Sequence, residues 1–265
     1  GKFNFAGIKS LTKLTALFTM LFFVSFTINS QCFNTSAYGS ATAPTSAGTV
    51  TISTCNYLSE YSTLSGVAAS TGYSCDVTMG GTSTGYITIT EGSATGVVVA
   101  HGPAPLNWVS NAAGTYYAHW TVDALCTTAG GCHETSITYV GTGCTNTSAY
   151  GSGVAPTSGT TTISTCNYLS EYSTLNSVVG GTTYSMNIAL AGASTGYVTV
   201  RSGSATGPLV ALGAAPLTFT APSSGTYYCH WNVDATCATA TGCHVTTCEF
   251  INSGGAQCSG IPSAG

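Results

Sequence analysis

The sequence predicts an all-β chain made of two tandem antiparallel β-sandwich domains, jelly-roll or immunoglobulin-like, behind a signal-peptide helix. Three observations predict it. A long stretch recurs nearly unchanged: "CFNTSAYGSATAPTSAGTVTISTCNYLSEYSTL" from Cys32 and "CTNTSAYGSGVAPTSGTTTISTCNYLSEYSTL" from Cys144. Each copy reads as short runs rich in Val, Ile, Thr and Tyr, separated by Gly, Ser, Pro and Asn, which is the pattern of strands and turns. Charged residues make up only 5% of the chain, against about a quarter in an ordinary soluble domain. Thr, Ser, Gly and Asn supply the polarity instead, and they favour strands and turns over helices.

In chain order, Lys2, Lys9 and Lys13 precede the apolar "LTALFTMLFFVSFTI" and the small, polar "NSQ". A basic start, an apolar stretch and a small-residue exit predict a secretory signal peptide over 1–31, cleaved near Gln31. The run is short for a membrane anchor, which needs about 20 apolar residues. "INSQC" also resembles, weakly, a lipoprotein cleavage box ending at Cys32.

The first module spans 32–141 and the second 142–250. The offset between them is 112 at first and 111 after a one-residue gap near Ala47, so Cys55 maps to Cys166, Glu60 to Glu171, Tyr86 to Tyr197 and Trp120 to Trp231. Such a period is too long for a solenoid unit and suits independent domains, each with its own core. Within the first module the expected strands are "TVTIS", "EYSTLSGV", "YSCDVTM", "GYITITEG", "GVVVAHG", "LNWVS", "GTYYAHWTV" and "ETSITYV". "GSATG" reads as a hairpin turn. Residues 251–265 read as a small-residue linker and the truncated start of a further module.

Charge limits the partners. Beyond residue 31 only Arg201 opposes eight Asp and Glu, a formal charge of −7. Phosphate binding needs many Lys or Arg contacts, which argues against nucleic acid, and anionic lipid is disfavoured in the same way. Glycans, surface proteins and further domains of the same polypeptide are the partners left. No membrane association is expected once the signal is cleaved.

Twelve cysteines in an exported chain mean disulfides. "CTTAGGC" and "CATATGC" are small-residue loops that could close locally, as Cys126–Cys132 and Cys237–Cys243. Cys32 with Cys55 and Cys144 with Cys166 would tie each first strand to its module. Cys229 and Cys248 replace Ala118 and Ile137. Appearing together in one copy, they predict a cross-strand bond, and Cys75 is left without a partner.

No metal or cofactor is expected. The Cys and His spacings do not match C-x₂-C zinc sites, and there is no D-x-D run for calcium. The chain has no G-x-S-x-G elbow and no phosphate loop. Glu60/Glu171 and Asp123/Asp234 are the acidic residues present in both copies. They could form a glycosidase pair only if the fold brought them together. Alternation along "TYYAHWTV" puts Tyr116, Ala118, Trp120 and Val122 on one face, expected to be the core, and Tyr117, His119 and Thr121 on the other, wetter face. The ligand-contact candidates are Tyr86 and Tyr197, His119 and His230, and Tyr61 and Tyr172. Tyr57 and Tyr168 are further aromatics that could stack on sugar rings. "NTS" at Asn34 and Asn146 is an N-glycosylation sequon.

The stretch "YITITEGSATGVVVAHGPAPLNWVSNAAGTYYAHWTVDALCTTAGGCHETS" resembles repeat modules of large secreted Bacteroidota surface proteins exported by the type IX system. The order "GYVTVRSGS…GPLVALG…PLTFTAPSSGTYYCHWNVD" is similar to bacterial pre-peptidase C-terminal and CUB-like β-sandwiches. "CSGIPSAG" resembles the start of the immunoglobulin-like repeats of such proteins. The resemblance implies a C-terminal sorting domain outside this chain, and it implies modules that accompany enzymes without being catalytic. The expected function is a non-catalytic, extracellular structural or adhesive segment of a cell-surface protein. A pair of carbohydrate-binding modules, accessory to an enzyme domain elsewhere, is the alternative.

Overall fold

A computed structural model of the chain describes residues 31–253. The expected signal peptide and the expected start of a further module lie outside the described residues, apart from Gln31 and Ile251–Ser253.

The first module contains β1 (Ser36–Thr42), β2 (Gly48–Leu58), β3 (Glu60–Val67), β4 (Gly72–Met79), β5 (Thr82–Ser83), β6 (Tyr86–Glu91), β7 (Val97–Pro103), β8 (Leu106–Val109), β9 (Gly114–Thr121) and β10 (Ala129–Gly141). The second repeats them as β11 (Ser148–Val154), β12 (Thr160–Leu169), β13 (Glu171–Val178), β14 (Thr182–Leu190), β15 (Ala193–Ser194), β16 (Tyr197–Ser202), β17 (Leu209–Ala214), β18 (Leu217–Thr220), β19 (Gly225–Asn232) and β20 (Ala240–Ser253). One sheet of the first module runs β1-β3-β9-β6-β7 and the other β2-β10-β4-β5, with β8 on β4. The second module has the same order.

The eight expected strands are present. The expectation missed β1 and the two-residue β5, and β1 also breaks the antiparallel rule, because it pairs with β3 in parallel. Its sequence, "SAYGSAT", has little β-branched character and carries Gly39 at φ 76°. A Cβ there would sit 3.1 Å from Ser53 and 3.3 Å from Asn56, so the strand closes tightly only because this residue is glycine.

Alternation sets the core. Tyr116, Ala118 and Trp120 are fully buried and pack with Leu64, Ile87 and Ile137 between the two sheets, whereas Val122, expected on the same face, lies past the end of β9 and is exposed. The second module repeats this with Leu175, Tyr227 and Trp231. A polar network joins the sheets inside each core, through Asn56 Nδ2 donating to the Tyr38 carbonyl and Asn167 Nδ2 to the Tyr150 carbonyl, each at 3.0 Å. Trp120 Nε1 donates to Ser62 Oγ at 2.9 Å, Ser62 Oγ donates to the Tyr38 carbonyl at 2.7 Å, and Thr135 Oγ1 donates to Asn56 Oδ1 at 2.6 Å. The same bonds recur at Trp231, Ser173 and Thr246. Every donor of this network is satisfied, so its burial costs little.

The disulfides correct the expected pairing. They are Cys32–Cys126, Cys55–Cys132, Cys144–Cys237 and Cys166–Cys243. "CTTAGGC" does not close on itself, because its second half is already strand β10, where residues advance about 3.3 Å each. Cys132 therefore sits beside β2, while Cys126 remains in the preceding turn. Cys229 and Cys248 are a second correction. They are buried thiols on β19 and β20, in opposite sheets of one core. Burial and the neighbouring Cys248 push the Cys229 thiol up. Cys75 is a buried thiol, as expected.

Candidate functional site

The segment before β1 crosses the outer face of the first sheet as a strap. Cys32 N–H donates to Thr88 Oγ1 at 3.4 Å and Asn34 N–H to His119 Nδ1 at 2.9 Å. Asn34 Nδ2 spends its two hydrogens on the carbonyls of Glu60 and Trp120, at 2.6 and 2.8 Å. The Cys32–Cys126 bond anchors the strap to the turn after β9.

In the second module the strap is the linker itself. Cys144 N–H reaches Thr199 Oγ1 and Asn146 N–H reaches His230 Nδ1, each at 2.9 Å. Asn146 Nδ2 binds the Glu171 and Trp231 carbonyls at 2.7 and 3.0 Å.

This strap corrects the expectation of a wet face at His119 and His230. Both lie on the side opposite the tryptophan, as alternation requires, but both are fully buried. Burial lowers each pKa to about 4, so both rings are neutral at pH 7. With Nδ1 accepting, the proton sits on Nε2, which has no hydrogen-bond partner in either ring. These histidines hold the strap.

The carboxylates are also structural. Asp123 Oδ1 accepts from the N–H groups of Leu125 and Thr127, at 2.9 and 3.2 Å. Asp234 does the same for Thr236 and Ala238, at 2.9 and 3.4 Å. Hydrogen bonds lower both pKa values, the Thr127 N–H foremost at Asp123 and the Thr236 hydroxyl, donating to Oδ1 at 2.6 Å, foremost at Asp234, and make each residue a turn former. Glu60 Oε2 accepts from Tyr57 N–H at 2.8 Å and so closes the turn between β2 and β3, and Glu171 does so for Tyr168 at 2.8 Å. His133 bonds the Gly131 carbonyl at 2.9 Å. Among the described residues no cluster of His, Cys, Asp or Glu is arranged to hold a metal.

The candidate tyrosines fall into three environments. Tyr61 packs on His119 and Tyr117, with centroids 5.4 and 5.9 Å apart, and Tyr172 packs likewise on His230 and Tyr228 at 5.3 and 6.0 Å. These pairs are half exposed. Tyr57 and Tyr168 stand out from the hairpin turns, 43% and 39% exposed. Tyr86 and Tyr197 are equivalent in sequence but differ in surroundings. The Tyr86 hydroxyl lies 2.6 Å from His101 Nδ1. Tyr197 is buried with Cys144, Leu209 and Leu212 against Val109 and Val140 of the first module. Its hydroxyl has no hydrogen-bond partner, and burial raises its pKa to about 12. Tyr197 therefore offers no face to a ligand.

The modules enclose a cleft of about 500 Å³. Its walls come from the same places in each copy: Leu106 and Leu217, Asn107 and Thr218, Trp108 and Phe219. The modules thus face each other through equivalent surfaces, like the two halves of an isologous dimer joined in one chain. One side is shut. Leu212 packs on Gly72 so closely that a Cβ there would lie 2.4 Å from Leu212 Cδ2. Arg201 Nη2 donates to the Thr142 carbonyl at 3.0 Å on the linker. The copies differ at these positions: Leu212 corresponds to His101, and Gly72 to Thr183. Both His101 and Thr183 line the cleft. None of these residues stood out in the sequence. The divergence of the two otherwise similar copies at these points is the signal that could have found them.

No family model matches the chain, and no curated protein matches it. Similar solved structures include the CUB1-EGF-CUB2 domains of rat MASP-1, at 8% identity over 78% of this chain and 99% of that one, with a TM-score of 0.20. The CUB1-EGF-CUB2 domain of human MASP-1/3 is 9% identical over 76% and 98%, also with a TM-score of 0.20. The fold stands on the strand order described above, independently of these two structures.

Proposed function

We propose that this chain is a non-catalytic extracellular segment with a structural or adhesive role at a cell surface. One observation carries the reading: the histidines and carboxylates that recur in both copies, and eight of the cysteines, have structural tasks that are the same in each copy. His119 and His230 hold straps, Asp123 and Asp234 form turns, Glu60 and Glu171 close hairpins, and eight cysteines form four disulfides. Disulfides of this density suit an oxidising, exported setting. A linker that doubles as a strap stiffens the pair, which suits a spacer or display element. The test is a panel of ester, peptide and glycoside substrates. Turnover should stay at the blank level, and turnover abolished by Glu60→Gln with Asp123→Asn would sink the proposal.

Carbohydrate binding is the second reading. The half-exposed pairs Tyr61–Tyr117 and Tyr172–Tyr228 support it, because aromatic faces can stack on sugar rings.

A further inference from the structure

We infer that the cleft between the modules is a binding site for a neutral oligosaccharide. The inference rests on the carbohydrate-binding reading and moves the site from the sheet faces to the module interface.

Its volume of about 500 Å³ lies in the range of small-ligand sites, roughly 300–1,000 Å³. The lining contains no Asp, Glu, Lys or Arg. A charged ligand would be desolvated there without a counter-charge, so the occupant is neutral. Apolar wall and hydrogen-bonding side chains alternate: Leu106 and Leu217 lie among Asn107, Thr218, Thr220 and Gln31. A dry lipid pocket would leave those amides and hydroxyls unpaired. A sugar ring matches the mixture, with apolar faces and a rim of hydroxyls.

His101 supplies direction. The Tyr86 hydroxyl and Nδ1 are hydrogen-bonded at 2.6 Å, which fixes the ring in the cleft wall. Burial lowers the pKa of this ring, which keeps it neutral beside a neutral ligand. The second module has Leu212 at this position, packed on Gly72. The two copies have thus diverged so that one side locks the modules and the other can take a ligand.

The experiment uses the chain from Gln31 to Gly265, disulfides intact. Cellotriose, maltotriose, laminaritriose and chitotriose are titrated by calorimetry and by backbone amide NMR. At least one should bind with Kd between about 1 µM and 1 mM, shifting the amides of Val98–His101 and Leu217–Thr220. His101→Leu copies the residue of the second module and removes the imidazole from the cleft wall. Thr183→Trp fills the cleft. Each should weaken binding at least about tenfold, and Tyr86→Phe, which breaks the same Tyr86–His101 bond but keeps the imidazole in the cleft, controls for the stability that His101→Leu loses. If no trisaccharide binds, the inference falls. If Tyr61→Ala with Tyr172→Ala abolishes binding while both cleft variants keep it, the carbohydrate reading survives and the cleft does not.

Discussion

Asn146 donates its backbone N–H to Nδ1 of His230 at 2.9 Å, so the peptide joining the modules is also the cover over the outer sheet of the second. Asn34 and His119 make the same bond in the first module. A duplicated His-to-strap bond gives the pair a common acid sensitivity.

Both rings have a folded pKa of about 4, below the unfolded value of about 6.5. The unfolded chain binds protons first as pH falls, so the stabilisation is complete above about 6.5 and lost between there and 4. The slope reaches at most about 1.4 kcal/mol per pH unit for each histidine, less where water reaches the ring. Asp123 and Asp234 also have lowered values, but their contribution is lost only below the ordinary carboxylate range. Urea titrations at pH 7, 5.5 and 4.5 should show falling midpoints. His119→Gln with His230→Gln should flatten that fall, and an unchanged slope in the double variant would refute the assignment.

The sequons should stay unmodified in folded protein. Both Nδ2 hydrogens of Asn34 are engaged by carbonyls, and Asn146 is buried with the same pair of bonds. Folded protein offered to an oligosaccharyltransferase in vitro should keep the unmodified mass, and protein unfolded by reduction should not. Asn34→Ala or Asn146→Ala should cost about 1–3 kcal/mol, the penalty for leaving buried carbonyls unpaired. Chemical denaturation measures it.

Peptide mapping without reduction should recover Cys32–Cys126 and Cys55–Cys132, with no Cys126–Cys132 link. These bonds close stretches of 94 and 77 residues, for which chain entropy suggests about 4–5 kcal/mol each. Reduction should therefore unfold both modules at moderate temperature. In native protein Cys75, Cys229 and Cys248 should resist alkylation, since all three are buried.

Tyr86→Phe and Tyr197→Phe should act in opposite directions. The first loses the bond to His101 and should cost about 0.5–1.5 kcal/mol. The second removes a buried hydroxyl that has no hydrogen-bond partner and should be neutral or stabilising by about 1 kcal/mol. Differential scanning calorimetry separates the two, and a destabilised Tyr197→Phe would contradict the junction described here.

What the sequence by itself determined is local or periodic. The repeat, the β class, eight strands of each module and the opposed faces of Trp120 and His119 all follow from spacing, because the side-chain period of a strand is two. Tertiary structure decided which distant segment covers each face. Alternation puts His119 opposite the core but cannot foresee a strap from Asn34 over it. Loop composition suggests that Cys126 could reach Cys132 but cannot reveal that β10 begins between them. The cleft is further still from local pattern, because His101 and Thr183 have no joint meaning until the two modules meet. Residues far apart in sequence come together through packing and topology, and no run of neighbouring residues encodes that meeting.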